Sequence, residues 1–112
     1  MTDHGSLVRV FGLPSPAGCD PRRTWRAAAD LVVERLHARF GALVRVDYVE
    51  LFSPEMAAHA SVEEAIAAGE ATPPIVEIDG RIAFHGGKLN VSAIERAVAV
   101  ALGAQPTARS TP

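Results

Sequence analysis

Thr72-Pro73-Pro74 runs directly into Ile75-Val76-Glu77-Ile78-Asp79-Gly80, a rigid proline connector followed by a short apolar strand and a hairpin signal. This segment constrains the fold most. Proline is tolerated at the first residue of a strand, and Asp79-Gly80 accepts the positive φ angles of a two-residue turn. Arg81-Ile82-Ala83-Phe84 then reads as the antiparallel partner of Ile75-Val76-Glu77-Ile78.

The remaining elements follow from periodicity. Leu7-Val8-Arg9-Val10-Phe11-Gly12 alternates and is closed by Gly and Pro, the pattern of a first strand. Pro14, Pro16 and Gly18 make a loop that delivers Cys19 to a helix, with Asp20 as its N-cap and Pro21 at its first position. Trp25, Ala28, Ala29, Val32, Val33, Leu36 and Phe40 recur at spacings of three and four until Gly41. Trp25 belongs to that stripe and reads as a core residue.

Leu43 to Phe52 is rich in Val, Leu and aromatics and reads as a second, largely buried strand. Ser53-Pro54 opens a helical segment broken near His59, with a capping box at Ser61-Val62-Glu63-Glu64 and an end at Gly69. After Gly86-Gly87, Asn90 caps a last helix whose Val91, Ile94, Val98, Ala101 and Leu102 share a face, ending at Gly103. The expected fold is α/β, strand-helix-strand-helix-strand-strand-helix, with a four-stranded mixed sheet flanked by helices.

With 112 residues, 48% of them hydrophobic, the chain is large enough for one core. A tail over 1–6, one domain over 7–103 and a disordered tail over 104–112 are expected. A net charge of -2 with interspersed signs leaves no footprint for nucleic acid and no polybasic stretch for anionic lipid. No apolar run approaches a membrane span, and the polar start implies a cytoplasmic protein. The single cysteine excludes an internal disulfide. It leaves intermolecular pairing, a free thiol or an inert small hydrophobe.

The element order, the Cys19-Asp20-Pro21-Arg22 turn and Thr72-Pro73-Pro74 resemble the thioredoxin and glutaredoxin superfamily, over roughly residues 7 to 102. In that resemblance Cys19 opens a degenerate C-x-x-C motif with Arg22 at the resolving position. Another register puts Cys19 last and Pro16 where the first cysteine would stand. The resemblance makes Pro74 a cis-proline whose turn pairs with an extended peptide or with glutathione. Gly86-Gly87 resembles the glutathione-contacting corner of glutaredoxins, with Leu89-Asn90 in place of the usual acidic pair.

Physical chemistry bears on the same residues. Arg22, Arg23 and Arg26 beside a helix start would favour a thiolate at Cys19, against Asp20. Cations at a helix N-terminus cost about 0.3 to 1 kcal/mol each, which points to an anion nearby unless the arginines lean into solvent and pair with Asp20, Asp30 or Glu70. His4, His37, His59 and His85 are not at ligand spacing, so no metal is expected, and Glu63-Glu64 reads as a solvated helix face.

Two functions fit these residues. The first is a domain without the dithiol pair that serves as a protein-interaction or accessory subunit of a larger oxidoreductase complex, its oligomeric state left open. The alternative is a single-cysteine, glutathione-dependent thiol-disulfide oxidoreductase. In it Cys19 is the nucleophile, Arg22 and Arg26 hold the thiolate, and Thr72, Pro73, Pro74, Gly86 and Gly87 bind the substrate. Apart from glutathione no cofactor is expected.

Overall fold

The computed structural model describes residues 5–14, 18, 20 and 24–103. In chain order these form β1 (Ser6–Gly12), α1 (Trp25–Phe40), β2 (Val44–Glu50), α2 (Ala60–Ala67), β3 (Ile75–Ile78), β4 (Arg81–His85) and α3 (Val91–Gly103). Short 3-10 turns at Gly41–Leu43 and Pro54–Ala58 precede β2 and α2. The sheet order is β2-β1-β3-β4. β1 and β2 are parallel through the α1 crossover, and β3 is antiparallel to both β1 and β4. An α/β fold with a mixed four-stranded sheet is therefore present.

Local chemistry accounts for several elements. Asp79 and Gly80 adopt φ of 52° and 86°, as a tight hairpin requires. The Asp79 carboxylate also accepts from Ser6 Oγ at 2.9 Å and from Leu7 N–H at 2.8 Å, tying the hairpin to the start of β1. Asn90 caps α3 by accepting from Ala93 N–H through Oδ1 at 2.9 Å.

Two apolar clusters clamp the sheet. On one face Val8, Val10, Val76 and Ile78 pack against Val32 and Leu36 of α1 and Ile94 and Val98 of α3. On the other, Phe11, Val49 and Ile75 meet Leu51, Met56 and Val62. Burying each such side chain is worth roughly 1.5–3 kcal/mol, so the clusters fix which faces the helices cover.

Three expectations are corrected. Asp20 does not cap α1: Thr24 does, with extended backbone and its side chain accepting from Ala27 N–H at 3.0 Å. β2 is half-buried, not largely buried, because it is an edge strand paired on one side, and Arg45 stands exposed. The capping box at Ser61 does not form. α2 begins at Ala60, inside the reach of the preceding 3-10 turn, and Val62 and Glu63 N–H donate to the His59 carbonyl instead.

Candidate functional site

The C-terminal ends of β1, β2 and β4 and the N-terminal end of β3 lie together. Cross-strand register there runs Val49, Phe11, Ile75, His85. The crevice outside strand ends is where open α/β sheets bind ligands. Three groups of predicted site residues fall at this end.

The first is the proline turn. Thr72 is exposed, Pro73 half-buried and Pro74 buried, and the Pro73–Pro74 peptide bond is cis, as the resemblance implies. Gly86 N–H donates to the Thr72 carbonyl at 2.8 Å and to the Pro74 carbonyl at 3.0 Å. Thr72 N–H donates to His85 Nδ1 at 3.2 Å. Neither proline has an N–H. Among the described residues, this leaves the Pro73 carbonyl as the turn's one unpaired backbone group, so the turn cannot offer an incoming peptide the donor and acceptor of a strand ladder.

Gly86 and Gly87 form the second group, both with left-handed φ (77° and 66°). The left-handed φ is what favours glycine at position 86, and a Cβ there would also meet the Thr72 hydroxyl at 2.9 Å, which would have to turn aside. Pro74, Phe84, His85, Lys88, Asn90 and Ile94 line a small depression of about 120 Å³ beside it.

Arg26 belongs to the third group. Its guanidinium lies 4.7 Å from the centre of the Tyr48 ring, a cation–π contact that joins the first turn of α1 to β2. The phenol packs against Gly12, where a Cβ would come within 2.6 Å of Tyr48 Oη and 2.5 Å of Trp25 Cβ. Burial, and then Glu50, push the Tyr48 pKa up, while Arg26 opposes them. Trp25 is half-buried at this rim, not a core member of α1.

Cys19 and Arg22 lie outside the described residues. α1 itself starts four residues later than the Asp20 cap expected from the sequence, with Thr24 as its N-cap.

Two residues at this end carry no signal in the sequence. His85 has no partner at metal-ligand spacing, yet it serves as an acceptor for a backbone N–H. Tyr48 sits in an apolar run opposite Val10, and what distinguishes it is that its phenol reaches Gly12, two residues further along β1. Among the described residues no group of three or more His, Cys, Asp or Glu is placed to hold a metal ion, and no helix is long and apolar enough to cross a membrane.

No protein-family model matches this chain, and no curated protein matches it. Among solved structures it is similar to the crystal structure of a protein of unknown function, SA0789 from Staphylococcus aureus. That match has a TM-score of 0.68 and 16% sequence identity, covering 90% of this chain and 94% of that one. A likeness at that identity speaks for the fold alone.

Proposed function

We propose that the chain is a thioredoxin-like domain without the dithiol pair, acting as a protein-interaction or accessory subunit of a larger oxidoreductase complex. The sheet order β2-β1-β3-β4 and the proline turn entering β3 support the fold assignment. One observation carries the loss of redox chemistry. In the thioredoxin-like reading the turn ahead of β3 aligns the backbone of a mixed-disulfide substrate, yet here Thr72 N–H, its carbonyl and the Pro74 carbonyl are bonded within the fold. With Cys19 as the sole thiol there is also no resolving partner in the chain. The reading belongs in a reducing cytoplasm, where a lone thiol persists without a disulfide.

The test is alkylation of Cys19 across pH, with the unfolded chain as reference. The expected result is a folded-state rate no faster than the unfolded one at any pH, with Cys19→Ser leaving partner binding unchanged. A thiol that reacts far faster when folded at neutral pH, together with an exchange activity abolished by Cys19→Ser, overturns the proposal in favour of a monothiol glutathione-dependent enzyme.

A further inference from the structure

Where the chain leaves β2 it turns so that Leu51 enters the core and Phe52 points out. Leu51 is 1% exposed and Phe52 79%. Phe52 sits at φ 67°, a left-handed conformation that a bulky residue seldom adopts. Beside it is a groove of about 230 Å³ lined by Leu51, Phe52, Met56, Glu63, Ile66 and Ala67. Met56 and the aliphatic side chains make an adaptable apolar floor.

Charge identifies what this groove suits. Residues 50–70 contain Glu50, Glu55, Glu63, Glu64 and Glu70 and neither Lys nor Arg. Glu50 ends β2, Glu55 sits in the 3-10 turn, and Glu63 and Glu64 lie on α2, so the acidic groups belong to the elements that build the groove. A second copy docked through the same groove would set Glu63 and the acidic elements around it against their counterparts, which like-charge repulsion disfavours. The chain's own C-terminal segment, Ala-Gln-Pro-Thr-Ala-Arg-Ser-Thr-Pro, has no large apolar side chain to fill it. Nucleic acid and anionic lipid carry the wrong sign.

We propose that this groove docks a basic amphipathic segment of another protein, with apolar side chains against Phe52, Met56 and Ile66 and lysines or arginines against Glu63 and its acidic neighbours. The groove shares no lining residue with the depression beside Pro74, and the proposal does not depend on whether Cys19 reacts.

The test titrates the isotope-labelled full chain with a synthetic Leu/Lys amphipathic peptide and with a Leu/Glu peptide of the same pattern. The expected result is binding of the Leu/Lys peptide alone, with amide shifts centred on Leu51, Phe52, Met56 and Ile66 and affinity falling as salt rises. Phe52→Ala, an exposed truncation, and Glu63→Lys, an exposed charge reversal, should each weaken binding about tenfold while the far-ultraviolet spectrum is unchanged. Cys19→Ser should leave the affinity unaltered. Absence of binding, equal binding of the Leu/Glu peptide, shifts centred elsewhere, or concentration-dependent self-association through Phe52 would each overturn the proposal.

Discussion

Thr72 N–H donates to His85 Nδ1 at 3.2 Å, closing the proline turn onto the end of β4. The turn has a second tether, from Gly86 N–H to the Thr72 and Pro74 carbonyls. His85→Ala removes the first and leaves the second. The released amide is exposed and can take a water, so the cost should be near the lower end of the about 0.5–1.5 kcal/mol typical of one hydrogen bond. Hydrogen exchange checks this residue by residue: Thr72 should exchange faster in the variant, while the Gly86 amide keeps its protection.

Gly12→Ala should be more damaging than its size suggests. A Cβ there would stand 2.5 Å from Trp25 Cβ and 2.6 Å from Tyr48 Oη, and the Trp25 atom sits at the root of its side chain and cannot swing aside. Forced overpacking of this kind costs about 1–3 kcal/mol. A lower urea midpoint with a changed Trp25 near-ultraviolet signal is expected, and an unchanged midpoint would show that α1 shifts freely against β1.

How much of this was legible in the sequence depended on whether the deciding interaction was local. The Asp79-Gly80 turn and the Asn90 cap rest on residues within a few positions of one another, and both formed as the sequence implied. The start of α1 was not legible in this way: the sequence points to Asp20-Pro21, but Thr24 makes the bond to Ala27, and the first turn of the helix carries no acidic residue to mark it. The exposure of β2 could not be read because it follows from the strand's place at the sheet edge. The site divided in the same way. Thr72, Pro74 and Gly86 were visible as turn formers, while the bond between Thr72 and His85 spans thirteen residues and exists only once β3 and β4 have paired.

Glu95 on α3 accepts from Arg39 at 3.1 Å and from Arg35 at 3.4 Å, both on α1. The hydrogen bond from Arg39, with Arg35 contributing, holds the Glu95 carboxyl below its ordinary value of 4.5. A lowered folded-state pKa means that the unfolded chain takes up the proton first as pH falls. The contribution is therefore fully present above about pH 4.5 and is lost as pH drops through the folded value. Glu95→Gln should destabilise the protein slightly at pH 7 and flatten the acid limb of its stability curve, an effect that high salt should mimic. Urea midpoints measured from pH 7 to pH 3 test this, and parallel curves for the two proteins would contradict it.

Tyr48 governs the alkaline limb, and it is the only tyrosine in the chain, so its ionisation can be followed directly by ultraviolet absorbance. Burial first, then Glu50, raise its pKa above 10.0, and Arg26 over the ring pulls the other way. Below pH 10 the phenol is neutral in both states and contributes no pH dependence. Between pH 10 and the folded value the unfolded chain has lost the proton and the folded chain has kept it, so stability must fall as pH rises through that window. Arg26→Gln removes the opposing charge, which should move the folded-state ionisation to still higher pH and widen the window. Tyr48→Phe should abolish the slope that Tyr48 contributes. Absorbance titration of the folded chain and of the chain in urea, with and without Arg26→Gln, decides the matter: a folded midpoint at or below the unfolded one would mean that the ring is not shielded against Gly12 and Trp25.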